Sequence, residues 1–314
     1  MGCRPTQIIL PQVSKFAELE SIRASGVRPN HEEMDMPYEG YKLIRYARDG
    51  KIVTATVDAP PINIITLELY SELSRMSREV ETDQDCLVFI LKSANPDFFL
   101  AHFDVSAILQ FPTDQPASRE TSARNEYHDM CNRMSTMDKV TIAQIEGRVG
   151  GGGSEFSMGF DMRFGVLGKT KINQMEVPLG ILPGGTGTQK LPRLIGRNRA
   201  IEIILAGVDI AAEEAERWGY LNRALPANEI GPYVLNLARR IASFPVEAVR
   251  LAKQAINSST KPLAEGLQDE SYLFQQLIRT ESGRRNMEKF LKIGGQTREG
   301  ELRIHELNRK LGEP

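Results

Sequence analysis

Residues 150–155 read Gly-Gly-Gly-Gly-Ser-Glu, and a second acid, Glu176, lies further along within Gln-Met-Glu-Val-Pro-Leu-Gly at 174–180. Four consecutive glycines leave bare backbone where side chains would block an approaching ligand. The residues after the glycines include no helix breaker, so a helix is predicted to begin there with Glu155 in its first turn. Backbone N–H groups at the start of a helix bind developing negative charge, and two nearby carboxyl groups can move protons. The stretch therefore predicts proton transfer beside a stabilised oxyanion.

Each of these residues also has a purely structural interpretation. Glycine-rich loops are common, and Glu155 in the first turn of a helix would stabilise that helix through its dipole. Glu176 by itself would most often be a solvated surface acid. A second run of small residues follows, however, in Leu-Pro-Gly-Gly-Thr-Gly-Thr-Gln at 182–189. Two glycine-rich turns that bracket two carboxylates favour a functional site over coincidence.

The segment around these acids resembles the signature region of the crotonase (enoyl-CoA hydratase/isomerase) superfamily. It spans 144–196, from Gln-Ile-Glu-Gly to Leu-Pro-Arg-Leu-Ile-Gly. Upstream, Ala-Pro-Pro-Ile-Asn at 59–63 is similar to the family's early strand-to-helix turn, and Phe-Phe-Leu-Ala-His-Phe-Asp at 98–104 resembles its first oxyanion loop. Downstream, the segments 205–210 and 215–222 resemble its C-terminal helix pair.

The resemblance implies an α/β fold, a crotonase-like spiral of stacked ββα units with a C-terminal helical trimerisation region. The apolar pattern agrees, because short apolar runs alternate with amphipathic helices in the first part and a helical pattern dominates after Arg197. The chain is therefore divided into an N-terminal extension, either an arm or partly disordered, a spiral core that contains the active site, and a C-terminal helical region. These three parts span residues 1–40, 41–206 and 207–314.

The same pattern predicts individual elements and an oligomer. The predicted strands are Tyr41–Arg45, Ile52–Val57, Leu87–Leu91, Val140–Ile145 and Met162–Val166, and the predicted core helices are Leu67–Val80, Arg119–Met137 and Ser154–Gly159. Ile201, Ile204 and Leu205 belong to apolar faces that exceed what the exterior of a monomer presents. A homotrimer or a dimer of trimers is expected, as in the family.

The resemblance also implies roles for single residues. The backbone N–H groups of Phe103 and Gly152 are expected to bind the thioester carbonyl oxygen. Glu155 is expected to hold and activate water, while Glu176 exchanges a proton with the α-carbon. The expected substrate-binding positions are Ala101, His102, Asp104, Gly151, Pro183 and Gly184. No cofactor is expected beyond the coenzyme A that the substrate carries.

Two positions depart from the family pattern. His102 stands where the first loop usually has glycine, so it either contacts the acyl group or a phosphate, acts as an extra acid or base, or caps a helix over 105–110. The structural alternative is favoured. The C-terminal helix offers Lys292, with Lys289 one turn earlier, in place of the family's Lys-Arg pair, so an acyl-carrier protein is compatible as the carrier. His128 is expected at a helix surface or in a lid.

Four functions fit the superfamily. Hydration of a 2-enoyl thioester is favoured because both acids are present, whereas a double-bond isomerase needs one base and the same oxyanion hole. A carbon–carbon hydrolase of β-diketones usually lacks the second glutamate, although His102 keeps that alternative open. The non-enzyme alternative is a catalytically silent scaffold or RNA-binding paralogue, which the intact carboxylates disfavour.

Composition excludes several other classes. The 314-residue chain has a formal net charge of −2 and no basic cluster, so nucleic acid is not an expected partner. Its three cysteines have no metal-ligand or disulfide-framework spacing, which predicts a reducing compartment and no metal site. No apolar run approaches the ~20 residues of a transmembrane helix, and no signal-peptide core is found. A cytoplasmic enzyme acting on an acyl-CoA thioester is expected.

Overall fold

The computed structural model describes residues 38–312 except Gln115, Glu120, Thr121 and Ala123. The chain divides into two compact units, Met1–Glu39 and Gly40–Pro314, and the description below concerns the second. Nearly all of the predicted N-terminal extension therefore lies outside the described residues. Within the described part, no helix is both long enough and apolar enough to cross a membrane.

The strands form two sheets. In chain order they are β1 (Ile44–Asp49), β2 (Ile52–Val57), β3 (Val88–Ser93), β4 (Phe98–Leu100), β5 (Val140–Ile145), β6 (Arg148–Gly150), β7 (Met162–Val166), β8 (Lys171–Asn173), β9 (Ile210–Ala211) and β10 (Arg223–Leu225). The larger sheet has the order β1-β2-β3-β5-β7-β10, and the smaller one has the order β4-β6-β8-β9. Pairing is parallel except between β1 and β2 and between β8 and β9.

Helices fill the connections and most of the C-terminal part. They are α1 (Leu67–Thr82), α2 (Val105–Ile108), α3 (Glu126–Thr136), α4 (Gly151–Ser157), α5 (Gly187–Ile195), α6 (Arg197–Ala206), α7 (Ala212–Trp218), α8 (Ile230–Ala242), α9 (Val246–Asn257), α10 (Leu263–Leu277), α11 (Glu281–Lys292), α12 (Arg298–Glu301) and α13 (Ile304–Leu311). The mixed architecture with C-terminal helices is the predicted fold class.

The two sheets are built by a repeated strand pair. Strands β3, β5 and β7 each enter the larger sheet, and each is followed by a short strand, β4, β6 or β8, in the smaller one. The long strands are buried on both faces, so they are nearly continuous apolar runs, as Val-Phe-Ile-Leu in β3 illustrates. A cluster that joins this sheet to α8 includes Ile90, Ile142, Phe164 and Val234. The stacking places the ends of β4 and β6 side by side.

Several predicted boundaries are wrong. Strand β1 begins at Ile44 rather than Tyr41, and β3 begins at Val88 rather than Leu87. Helix α3 begins at Glu126 rather than Arg119 because Asn125 caps it, its side chain accepting from the His128 N–H at 3.0 Å. Helix α4 begins at Gly151, so three of the four glycines form its first turn instead of preceding it.

Close packing explains why glycine continues into α4. A Cβ atom on Gly153 would lie 2.3 Å from the carbonyl oxygen of Leu100 and 2.7 Å from its Cβ atom. Both distances are far below van der Waals contact, so only glycine lets the first turn of α4 lie against the end of β4. This contact fixes where the loop that follows β4 meets α4.

A buried arginine holds the other end of α4. Arg163, on β7, is 5% exposed. Its guanidinium donates to the carbonyl oxygens of Phe160 at 2.6 Å and Tyr220 at 2.7 Å, and to that of Ser157, the last residue of α4, at 3.4 Å. A cation suits the carboxyl end of a helix, where free carbonyl groups carry partial negative charge. Helix α4 is therefore anchored at both of its ends.

We predict that Gly153→Ala lowers the free energy of unfolding by ~1–3 kcal/mol, because the new methyl group overpacks the α4–β4 contact. Gly231→Ala is the matched control, since Gly231 lies in α8 and its Cβ would meet only the Gln144 Nε2 atom at 3.9 Å. That control should gain up to ~1 kcal/mol from the higher helix propensity of alanine. Urea unfolding measures both, and equal effects of the two changes would contradict the packing argument.

Candidate active site

The loop after β4 presents the Phe103 N–H group away from its neighbours. Ile65 and Phe103 form a parallel bridge in which the Ile65 N–H donates to the His102 carbonyl at 2.8 Å and the Asp104 N–H donates to the Ile65 carbonyl at 3.0 Å. In a parallel bridge the residue between these two bonds directs its own N–H to the opposite side. The Phe103 N–H is thus available to a ligand.

Gly152 lies directly beside this donor. A Cβ atom on Gly152 would lie 3.3 Å from the Phe103 N atom and 3.1 Å from the Tyr127 Oη atom. Any side chain at 152 would therefore crowd the space in front of the Phe103 N–H. Gly152 is in the first turn of α4, where N–H groups have no partner inside the helix. The two N–H groups predicted to form the oxyanion hole are brought together.

Gly151 separates this pair from the second carboxyl group. Its φ of +43° lies in the left-handed region, which favours glycine. A Cβ atom here would lie 3.0 Å from the Glu176 Oε1 atom and 3.1 Å from the His102 Cβ atom. Glu176 and His102 therefore flank the start of α4 on the same side.

Glu155 is held by one oxygen. The side chain, on α4, is buried, and its Oε1 atom accepts from the N–H groups of Gly185 at 2.8 Å, Thr186 at 2.9 Å and Gly187 at 2.7 Å. Burial raises the pKa of Glu155, while these three donors oppose the rise because they favour the charged form. Within the described chain the Oε2 atom makes no hydrogen bond, so one oxygen is anchored and the other can act on a ligand.

Glu176 has the opposite environment. It begins the single 3₁₀ turn Val177–Leu179, is buried, and its Oε2 atom has no hydrogen-bond partner among the described residues. Burial, with the negative charge of Glu155 as a second cause, raises the pKa of Glu176 to about 7. The two carboxyl groups therefore differ in environment, since backbone donors favour the charged form of Glu155 and nothing comparable does so at Glu176.

His102 is not a helix cap. Asp104 is the N-cap of α2, its Oδ1 atom accepting from the Ser106 N–H at 2.9 Å, and the helix ends at Ile108. His102 lies 2.8 Å from the Phe103 carbonyl through its Nδ1 atom, which donates and leaves Nε2 as an acceptor in the neutral ring. The capping alternative was wrong, and so was the expectation of a distorted backbone, because φ at His102 is not left-handed.

The remaining predicted positions surround the same place. Ala101 is buried, and its carbonyl oxygen would lie 2.8 Å from a Cβ atom on Gly150. Pro183 packs against the loop that binds Glu155, since its Cβ atom would lie 2.6 Å from one on Gly187. The Gly184 carbonyl accepts a hydrogen bond from a histidine rather than facing open space. The side chain of Asp104 is occupied as the cap of α2.

Sequence reasoning missed the role of two neighbouring residues on α3. The Tyr127 hydroxyl donates to the Gly152 carbonyl at 2.6 Å, and the His128 Nε2 atom lies 2.6 Å from the Gly184 carbonyl oxygen. Burial raises the pKa of Tyr127 well above its usual value, which keeps the hydroxyl protonated as a donor. The signal in the sequence is Asn125 three residues before His128, a capping-box spacing that puts both residues on a first turn.

An aromatic cluster forms one wall of the site. The ring centroids of Tyr70 and Tyr127 are 5.7 Å apart, those of Phe103 and Tyr127 are 5.9 Å apart, and those of Tyr70 and Phe103 are 6.0 Å apart. Their stacked and edge-on arrangements are favourable for aromatic pairs. The cluster supports the Phe103 backbone from the side opposite the carboxyl groups. Among the described residues, no group of three or more His, Cys, Asp or Glu side chains could hold a metal ion.

Comparison with known proteins assigns the family. A family model described as enoyl-CoA hydratase/isomerase matches residues 47–295. The chain belongs to this family. A short-chain-enoyl-CoA hydratase of Clostridium acetobutylicum is 30% identical over 247 residues, which cover 78% of this chain and 93% of that protein.

Solved structures of the family have the same fold. An enoyl-CoA hydratase of Bacillus anthracis is 28% identical, with a TM-score of 0.73 over 80% of this chain and 96% of that one. An enoyl-CoA hydratase of Geobacillus kaustophilus is 29% identical, also with a TM-score of 0.73, over 82% of this chain and 96% of that one. The crotonase fold expected from the sequence is therefore confirmed, whereas the roles of the individual site residues stay predictions.

The raised pKa of Glu176 predicts how stability depends on pH. Its folded-state pKa is about 7 and its ordinary value is 4.5, so between these values the folded chain binds more protons than the unfolded chain. The stability that protonated Glu176 contributes is complete below about pH 4.5 and is lost as the pH rises through about 7. Glu176→Gln lacks this dependence because its amide does not titrate.

We therefore predict that the free energy of unfolding of the wild type, relative to Glu176→Gln, falls by ~2–3 kcal/mol between about pH 4.5 and about pH 7.5. Urea unfolding of both proteins across this range measures the difference. Parallel pH profiles would show that Glu176 keeps an ordinary pKa in the folded chain.

Proposed function

We propose that the protein adds water to the double bond of a 2-enoyl-CoA thioester. The observation that carries this proposal is the pair of unlike carboxyl groups beside two unpaired backbone N–H groups. Glu155 has one oxygen anchored by three backbone donors, and Glu176 has none of that stabilisation. The names of relatives that match most of the chain support the same reaction.

The proposed reaction begins with the thioester carbonyl oxygen between the N–H groups of Phe103 and Gly152. Two donors in a site shielded from water stabilise the negative charge that develops on this oxygen. The free Oε2 atom of Glu155 takes a proton from water as the water oxygen bonds to the β-carbon. The electrons of the double bond move towards the carbonyl oxygen, which gives an enolate.

Glu176 completes the addition. It donates its proton to the α-carbon as the enolate collapses, so that the product is a 3-hydroxyacyl thioester. A carboxyl group with a pKa near 7 is protonated in a large fraction of molecules at neutral pH and can also accept the proton in the reverse direction. The proton left on Glu155 then returns to solvent. No cofactor takes part beyond the coenzyme A of the substrate.

Both carboxyl groups distinguish hydration from isomerisation. Moving a double bond from the 3-position to the 2-position requires one base and the same oxyanion hole, so a second carboxyl group beside the first would have no role. The carrier is proposed as coenzyme A on the strength of the family, and a cytoplasmic location stays a prediction.

We further propose that the protein forms a trimer or a dimer of trimers. The C-terminal helices expose large apolar side chains, namely Leu263, Leu267, Tyr272, Phe274, Met287, Leu291 and Leu302, each more than half exposed. On α6, Ile201 and Leu205 are exposed, whereas Ile204 is buried within the chain and does not contribute to the apolar surface as expected. Apolar surface of this extent is typical of contacts between subunits.

Glu155→Gln and Glu176→Gln should each reduce hydration of crotonyl-CoA by ~10²–10⁴-fold, because glutamine preserves shape but cannot exchange a proton. The assay follows the loss of enoyl-thioester absorbance, with product analysis for the 3-hydroxyacyl thioester. Glu229→Gln, at an exposed position, is the matched control and should retain full activity. Undiminished hydration by Glu176→Gln, or formation of no hydroxy product by the wild type, would refute the two-carboxyl mechanism.

Sedimentation equilibrium at micromolar concentration should give a mass of about 105 kDa, three chains of 35.1 kDa, or twice that value. Replacing Leu263 and Leu267 together with glutamate should shift the mass towards that of one chain, because charged side chains oppose burial between subunits. A wild-type mass of 35.1 kDa would refute the proposed assembly.

A further inference from the structure

The loop that binds Glu155 is itself held from outside by His128. The His128 Nε2 atom lies 2.6 Å from the Gly184 carbonyl oxygen, and its Nδ1 atom accepts from the Asn125 N–H at 3.2 Å. Because Nδ1 accepts, Nε2 carries the proton and donates to Gly184. A single neutral tautomer therefore satisfies both contacts.

One peptide group connects this histidine to the carboxylate. The carbonyl that accepts from His128 belongs to Gly184, and the N–H on the same peptide belongs to Gly185, which donates to the Glu155 Oε1 atom at 2.8 Å. A hydrogen bond accepted by a peptide carbonyl polarises that peptide and strengthens the bond its N–H donates. The chain of contacts runs from the imidazole, through the peptide, to the carboxylate.

The loop needs such support because its backbone is strained. Thr186, whose N–H also binds Glu155, has a φ of +147°, which is unusual for a β-branched residue. Gly185 cannot be replaced by a larger residue without contact, since its Cβ atom would lie 2.6 Å from the Glu155 Oε2 atom and 2.8 Å from the Tyr127 ring. The loop is therefore pressed between α3 and the carboxylate.

We propose that His128 is a positioning residue for Glu155, which it orients and keeps charged through the peptide group between Gly184 and Gly185. It contacts no reacting atom. The proposal deepens the hydratase function proposed above and relies on it only where activity is measured. The titratable groups that face Glu155 from the surrounding elements are Glu176, Tyr127, Cys131 and His128 itself.

Three variants separate this role from support of the helix. His128→Leu removes both contacts of the ring. His128→Gln retains an amide that can accept from the Asn125 N–H and donate to Gly184, as glutamine does at this position of a capping box. Asn125→Ala removes the side-chain cap, Asn125 Oδ1 to the His128 N–H, but keeps the backbone donor that fixes the ring.

The first measurement needs no substrate. In protein labelled with ¹³C at the glutamate carboxyl carbon, the Glu155 resonance is identified by its loss in Glu155→Gln and titrated in each variant. In His128→Leu the pKa of Glu155 should rise by ~0.2–0.5 unit, the size of a 10–30% weakening of one charge-assisted hydrogen bond. In His128→Gln and Asn125→Ala it should stay within ~0.1 unit of the wild type. An unchanged titration in His128→Leu, or an equal shift in Asn125→Ala, would overturn the proposal.

The second measurement uses the pH profile of kcat/KM for crotonyl-CoA hydration. The acidic limb, which reports the ionisation of the catalytic base, should move to higher pH by the same amount in His128→Leu and return in His128→Gln. A merely structural role would lower the rate at every pH without moving this limb, and that result would refute the proposal. An inactive wild type would refute the hydratase function alone, because the carboxyl titration would still decide the role of His128.

Discussion

Anchoring one oxygen of Glu155 to three backbone N–H groups is the interaction on which the site depends. A buried carboxylate is costly unless it is hydrogen-bonded, and here the donors come from a strained turn at the start of α5. That turn must be held against the carboxylate, which explains the contacts of Pro183, Gly184 and Gly185 with neighbouring elements. Because Oε1 is fully occupied, only Oε2 is free, and its direction is set by the same three bonds.

The oxyanion donors obey a second constraint, the close approach of two backbones. Gly153 lets α4 touch the end of β4, and this contact sets how far Gly152 lies from Phe103. The Ile65 N–H, bonded to the His102 carbonyl, polarises the peptide whose N–H belongs to Phe103. The Phe103 N–H is thus oriented and strengthened before a ligand arrives, without any side chain taking part.

Much of this arrangement can be predicted from the sequence, and the failures have physical causes. The buried strands β2, β5 and β7 are continuous apolar runs, and their predicted bounds are confirmed. The start of α3 was misplaced because the residues from Arg119 to Arg124 suit a helix, while the cap at Asn125 decides where it begins. Tyr127 and His128 were missed because they bind carbonyl groups 25 and 56 residues away, and a carbonyl leaves no mark in a sequence.

The two anchored ends of α4 have a consequence for reading mutational data. With seven residues the helix is ~10 Å long, so Arg163 lies about that far from the oxyanion donors and touches no reacting atom. Its guanidinium nevertheless holds the last carbonyl of the helix that carries Gly152 and Glu155. A rigid rod transmits a tilt at one end to the other end undiminished. Substitutions at Arg163 will therefore be scored as losses of turnover in activity screens, and only substrate-free structural probes will separate such remote supports from the residues that perform the chemistry.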